Sequence, residues 1–361
     1  MTREIHLSRG NSPYVGHLSK GCKLCMRGEK LVLFVTGECS KDCYYCPISE
    51  ERYNQKVIFA NEVEVTAIED IIAEAQLSRA MGMGITGGEP LQELGRTLEF
   101  IRAVKSRGGE SFHIHLYTGL EPVPFDVVEQ LLDAGLDEVR LHRFKIGEDY
   151  RKLRRLTKGR AKLGLEIPVI PGMRDSLKEL FRQLDEIGID FINLNEMEFT
   201  SGNAQQLRKR GFKLESGTIA AVQDSEAEAI ELLEWAAKET SLSIHYCPLG
   251  LKDGAQLRNR FKRRARSIAK PFERISKEGL LVKGVITPSE ELGLTAIKEL
   301  LEKEFQVERK HIWVNEVKGR IETAASITRC LAKRLKAKGL SVGIVEEYPI
   351  DTRFQVSYFP L

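Results

Sequence analysis

The chain has 361 residues, 42% apolar and 30% charged, with 55 Lys and Arg against 52 Asp and Glu for a net charge of +3. This composition excludes a disordered chain, suits two domains or one large α/β domain with an appendage, and is too mildly charged to name a partner. No apolar run approaches the roughly 18 residues of a membrane helix, and MTREIHLSRG lacks the apolar segment of a signal peptide, so a cytoplasmic protein with no membrane partner is expected.

In a reducing compartment the seven cysteines need a reason other than disulfides. The first group lies in GCKLCMRGEK, where Cys22 and Cys25 precede Gly28. This reads as a metal knuckle in an N-terminal segment, residues 1–30. From residue 31 to 248, short apolar runs alternate with amphipathic stretches. Strands are predicted at 31–36, 83–86, 113–117, 138–142, 165–169 and 191–195. Helices are predicted at 66–81, 94–107, 125–134, 149–163, 176–187 and 225–239. Such alternation implies βαβ units and a parallel sheet, and six units form an open partial (β/α)6 barrel.

Residues 249–276 read as a basic linker or helix. The stretch from Lys252 to Lys277 holds ten Lys/Arg and two acids. Residues 277–361 then give a βαβαββ order, with helices predicted at 290–304 and 321–338, which suits a small α+β accessory domain. Cys330 falls on the second of these helices and is expected to be a buried small hydrophobe.

The strongest chemical signal is TGECSKDCYYCP. Cys39, Cys43 and Cys46 follow a strand in one loop, and three thiolates can hold three irons of a 4Fe–4S cube, leaving the fourth iron open. The alternative is a structural zinc with a distant fourth ligand. Forty residues on, GITGGEP gives a strand, a turn and an acid. Gly87 and Gly88 let backbone approach a ligand closely, Glu89 offers a carboxylate to an amino group, and Pro90 closes the turn.

Together CSKDCYYC and GITGGEP resemble the radical S-adenosylmethionine (SAM) superfamily, in particular the archaeal branch related to pyruvate formate-lyase activating enzymes. The resemblance covers roughly residues 30–245. It implies a radical-SAM barrel, a 4Fe–4S cluster on Cys39, Cys43 and Cys46, and SAM held by the open iron. It further implies a GGEP loop at the SAM amine, backbone contact from Tyr45 to adenine, and an electron-donor protein as partner. Polar residues at the other strand ends, Tyr117, Arg140, Asn193 and Asn195, are further candidates for the cofactor-binding interior.

Two thiolates do not make a metal site, and Cys247 in SIHYCP is the candidate to complete Cys22 and Cys25, with His245 as a fourth ligand. Zinc or an auxiliary iron–sulfur cluster would suit that set. Basic residues cluster again at 140–162, ten against two acids, and at 207–213. These clusters point to RNA, a tRNA nucleoside above all, as the modified substrate, with methyl transfer an open variant. A protein or small-molecule substrate is the alternative, and a non-catalytic metal-containing nucleic-acid-binding protein is the third reading.

Overall fold

The structure, a computed structural model, describes residues 2–361. Its contacts divide it into two compact units: one runs to residue 257 without 77–79, and the other comprises 77–79 and 258–361. The division falls inside the stretch read as a linker. Residues 252–257 pack with the first unit, and the basic helix that follows belongs to the second.

The first unit opens with a hairpin, β1 (Ile5–Leu7) and β2 (Pro13–Val15), then α1 (Lys20–Met26). The parallel strands follow: β3 (Lys30–Phe34), β6 (Gly82–Thr86), β7 (His113–Thr118), β8 (Glu138–Leu141), β9 (Lys162–Val169), β10 (Phe191–Glu196) and β11 (Ile244–Cys247). A short ribbon, β4 (Phe59–Ala60) and β5 (Val63–Glu64), continues from β3. The sheet order is β1-β2-β11-β10-β9-β8-β7-β6-β3-β4-β5. The six expected βα units are therefore joined by a seventh parallel strand, β11, whose outer neighbour β2 runs antiparallel.

The connecting helices are α2 (Ile68–Leu77), α3 (Leu94–Gly108), α4 (Phe125–Asp133), α5 (Tyr150–Thr157), α6 (Arg174–Ile187), α7 (Ala204–Lys209) and α8 (Ser225–Glu239). Alternation sorts each strand. In β9, Leu163, Leu165, Ile167 and Val169 are fully buried in the hydrophobic core, while Gly164, Glu166 and Pro168 take the other face. Helix α5 is shorter than the predicted 149–163: Gly159 turns at φ +81° and Lys162 already begins a strand.

The cysteine knuckle is in fact a helix. Ser19 caps α1 by accepting from the Cys22 amide, and Gly28 (φ +66°) turns the chain by donating to the Cys25 carbonyl. Helix α1 packs onto the inward-facing side chains of the barrel. A Cβ at Gly21 would stand 2.5 Å from both Arg140 Nη2 and His115 Nδ1, so a larger residue would have to displace those buried side chains. After β11, the single turn α9 (Leu249–Leu251) leads into a wide turn at Lys252–Leu257.

The second unit starts with α10 (Arg258–Ile268) and β12 (Arg274–Ile275). Its antiparallel sheet has the order β14-β15-β13-β16-β17, from β13 (Leu281–Thr287), β14 (Ile312–Asn315), β15 (Arg320–Thr323), β16 (Ser341–Glu347) and β17 (Gln355–Pro360). Helices α11 (Leu294–Glu299) and α12 (Ala325–Lys336) accompany it. The second predicted helix thus begins four residues late. RIET pairs as a central strand between β13 and β14, where its Ile and Thr are buried. Cys330 is exposed, contrary to expectation: α12 buries Ala325, Thr328 and Leu335, and Cys330 lies off that stripe.

Candidate active site

A cavity of about 470 Å³ occupies the interior of the first unit. Six of the seven cysteines line it: Cys22, Cys25, Cys39, Cys43, Cys46 and Cys247. The residues of the GGEP turn line it too, with Tyr45, Tyr117, Arg140, Asn193, Asn195 and His245.

The two motifs recognised in the sequence form one backbone unit. The Gly88 amide donates to the Thr36 carbonyl at 2.7 Å, and the Glu89 amide donates to the Glu38 carbonyl at 2.8 Å. Added Cβ atoms explain both glycines: at Gly87 the atom would overlap the Thr36 oxygen, and at Gly88 the Glu38 oxygen. Gly87 also sits at φ +154°, within the range that favours glycine. Within the cysteine loop, the Cys46 amide donates to the Cys43 carbonyl and the Lys41 amide reaches Cys39 Sγ at 3.4 Å.

Glu89 does more than face the cavity. Its carboxylate accepts from Thr118 Oγ1 (2.9 Å), the Gly119 amide (2.7 Å) and the Leu91 amide (3.1 Å), which locks the turn to the end of β7. Burial pushes its pKa up against those three donors. Tyr45 donates or accepts at His142 Nε2 (3.1 Å), and its carbonyl accepts from Asn203 Nδ2 (3.1 Å). Asn203 was not singled out from the sequence. It is one asparagine in a polar loop, and its role depends on a fold-back across 158 residues.

Beneath this lies a polar layer on the inward faces of β3 and β7–β11. Arg140 Nε donates to Glu138 (2.6 Å), and its Nη1 donates to Glu166 (2.5 Å) and Tyr117 Oη (3.2 Å). Asn193 and Asn195 donate to Glu166 at 2.9 and 3.1 Å. Lys30 Nζ lies 3.1 Å from His113, which faces Glu138 at 3.4 Å. Burial opposes the charge on Glu138, but Arg140 outweighs it and holds the carboxyl near 2; burial pushes Lys30 down to about 7. Arg140, Asn193 and Asn195 therefore belong to one internal network, in which Arg140 is paired with both Glu138 and Glu166 and the two asparagines donate to Glu166. Glu138 and Lys30 escaped notice as site residues because each reads as the polar start of an apolar strand.

The described residues contain no three His, Cys, Asp or Glu side chains grouped to hold a metal ion. A 4Fe–4S cube binds its thiolates to different irons and so does not require them to converge on one ion. The donor set fits such a cube: three thiols on one loop, beside a turn whose glycines keep side chains out of the way.

A partial parallel β/α barrel carrying three cysteines and a GGEP turn at one cavity defines an iron–sulfur enzyme that works on SAM. The chain belongs to the radical SAM superfamily, whose profile matches residues 33–167, and it employs a 4Fe–4S cluster and SAM. Residues 279–361 match a domain of unknown function, DUF8061. A Methanocaldococcus jannaschii protein with the provisional name of a glycyl-radical enzyme activating enzyme is 42% identical over 357 residues, covering 95% of this chain and 93% of that one. Biotin synthase of Histophilus somni is 31% identical over 113 residues, 30% of this chain and 32% of its own. Among solved structures, Streptococcus suis SuiB bound to the precursor peptide SuiA matches with TM-score 0.47 and 14% identity, over 71% of this chain and 56% of that one. Coproporphyrinogen III oxidase of Escherichia coli matches with TM-score 0.35 and 10% identity, over 62% and 56%. The chain spans a little over half the length of these two structures. No helix among the described residues is long and apolar enough to cross a membrane.

Proposed function

We propose that the chain is an activating enzyme whose substrate is a protein, and that Cys39, Cys43 and Cys46 carry its SAM-binding 4Fe–4S cluster. The observation that carries the substrate class is the likeness, over 95% of the chain, to a protein named for activating glycyl-radical enzymes. When bound, the cluster and SAM supply a 5′-deoxyadenosyl radical that abstracts a hydrogen atom. The chain's own part is placement. The glycine turn keeps side chains away from the space beside the cysteine loop, Glu89 fixes that turn to β7, and the Asn203–Tyr45 bond fixes the end of the loop.

The RNA reading draws less support, because several of the basic residues it rests on are engaged internally. Arg140 pairs with Glu138 and Glu166, Arg143 with Asp149, and the half-buried Arg154 with Asp190. In the second basic segment Lys252 pairs with Glu198, and the fully buried Arg264 pairs with Asp351. A guanidinium already neutralised inside the fold releases no phosphate counterion.

The test is isotope transfer. Reduced enzyme and SAM are incubated with a deuterated protein fraction, or a deuterated RNA fraction, from the source organism, and 5′-deoxyadenosine is analysed by mass spectrometry. Deuterium arriving from the protein fraction, lost on protease treatment and absent with Cys43→Ala, is the expected result. Transfer from RNA that nuclease abolishes would overturn the protein assignment. Undiminished SAM cleavage by Cys43→Ala would overturn the cluster assignment.

A further inference from the structure

We propose that Cys22, Cys25 and Cys247 hold a second, thiolate-ligated metal centre on the floor of the same cavity. Cys22 and Cys25 stand three residues apart on α1 and so share one face of the helix. Cys247 ends β11 and packs with Cys22, Met26 and Leu251 in one buried cluster. All three sulfurs belong to residues that line the cavity. They reach it from two elements that are not part of the 39–46 loop, so they do not compete with the SAM cluster for ligands.

Cys22 and Cys247 pack on one side against an apolar cluster, and each also has a polar N–H neighbour beside its sulfur. A structural cysteine is ordinarily packed among apolar atoms. Cys22 Sγ in addition lies 3.0 Å from Asn193 Nδ2, 3.4 Å from Asn193 Oδ1 and 3.6 Å from Arg140 Nη2. Cys247 Sγ has Gln256 Nε2 at 3.8 Å, within reach of a hydrogen bond to sulfur. Such N–H groups around the sulfurs are the outer shell that thiolate–metal sites require. Asn193 is itself held, by Glu166 at 2.9 Å and by the His245 ring at 3.3 Å, so the donor is fixed before any metal arrives.

His245 is not the fourth ligand. Its Nε2 is 2.8 Å from Ser12 Oγ and its Nδ1 faces Asn193 Oδ1, so both ring nitrogens are committed. Its place is to orient Asn193. Three thiolates then leave one coordination position to the cavity, as in catalytic rather than structural metal sites. An all-sulfur donor set selects a soft metal, and because the described residues group no three such side chains around one ion, an iron–sulfur cluster, which spreads its thiolates over different irons, fits better than zinc.

The experiment removes the SAM cluster and asks what stays. The variant Cys39→Ser/Cys43→Ser/Cys46→Ser is purified anaerobically. It is then assayed for zinc, iron and sulfide before and after reconstitution with iron and sulfide, and its free thiols are titrated. The expected result is one retained centre per chain, iron with matching sulfide up to about four of each; zinc alone would overturn the cluster assignment. Cys25→Ser on that background should release it with the far-ultraviolet circular-dichroism spectrum at about 25 °C unchanged, since Cys25 is only half-buried, while the melt falls as the stabilisation by the bound centre is lost. If Cys25→Ser perturbs folding, Cys247→Ala supplies the same subtraction. A folded triple variant with no metal and all remaining thiols titrating free, or with two of them joined in a disulfide, overturns the proposal. Because SAM cleavage is not the readout, failure here is distinct from failure of the proposed activity.

Discussion

The backbone amide of Glu89 donates to the carbonyl of Glu38 across 2.8 Å, joining the turn after β6 directly to the loop that carries the three cysteines. Two motifs forty residues apart in the chain are thus a single rigid frame. The double glycine is a packing requirement of that frame, because neither residue can carry a Cβ without displacing a backbone oxygen.

Gly88→Ala should therefore leave the fold intact and remove the activity. The added methyl collides with the Glu38 carbonyl, which has backbone on both sides and cannot swing away. A displacement of about an ångström at a reacting centre costs on the order of a hundredfold in rate. We expect 5′-deoxyadenosine formation to fall by at least about tenfold with far-ultraviolet circular dichroism unchanged. Gly95→Ala, on α3 with nothing within 4 Å of the new methyl, is the control. It should retain full cleavage and gain roughly 0.5–1 kcal/mol of stability. Equal losses in both variants would show that the close approach to Glu38 is not what limits residue 88.

The cysteine loop and the GGEP turn were legible because their residue types carry the chemistry whatever the fold does. Helix α8 was legible to the residue from its apolar spacing and its acidic start. The polar floor was not. Tyr117, Arg140, Glu166 and Asn193 sit on four neighbouring strands, β7 to β10, and their pairing follows from the parallel register, Tyr117 opposite Arg140 and Glu166 opposite Asn193. No linear pattern encodes that register. The same blindness hid β15: RIET continues the helical spacing of the segment after it, and only its partners β13 and β14 make it a strand.

Asn203 should act as a positioning residue for SAM. Its Nδ2 donates to the Tyr45 and Glu198 carbonyls and its Oδ1 accepts from the Thr200 amide, all with the side chain buried. Asn203→Ala releases the end of the cysteine loop without touching a thiol. One lost hydrogen bond of this kind corresponds to a rise of roughly 3- to 10-fold in the apparent KM for SAM, with iron and sulfide content unchanged. Asn203→Asp keeps the acceptor for Thr200 and loses the donor to Tyr45, and should behave like the alanine variant. Full rescue by Asp would assign the role to the Thr200 contact instead.

Arg264 separates a structural from a binding origin for the basic segment. Its guanidinium is buried, bonded to the Pro349 carbonyl and paired with Asp351 at 2.9 Å. Arg264→Ala leaves that carbonyl unpaired in the interior and should cost roughly 2–4 kcal/mol in chemical denaturation of the full chain. An unchanged midpoint would mean the guanidinium is available to solvent, and would return this helix to the RNA reading.

The accessory unit should carry a distinct acid signature. Lys283 is buried with Glu322 at 2.8 Å, Glu347 at 2.7 Å and Glu273 at 3.1 Å. Burial alone would raise the Glu322 pKa, but the Lys283 ammonium and the Arg320 guanidinium outweigh it and bring the carboxyl down to about 2 from 4.5. A carboxyl lowered in the folded state binds fewer protons there than in the unfolded chain. Its contribution is therefore complete above the unfolded value of 4.5 and is lost as pH falls from there through about 2. A shift of this size corresponds to roughly 3 kcal/mol at neutral pH. Glu322→Gln should thus destabilise the unit by about that amount at pH 7 and by roughly half as much at pH 3. Trp313 lies in this unit with Lys270 over its ring, so its fluorescence in a Trp235→Phe background follows the transition. A destabilisation that is the same at both pH values would mean that Glu322 acts there through packing and hydrogen bonding, with no part played by its charge.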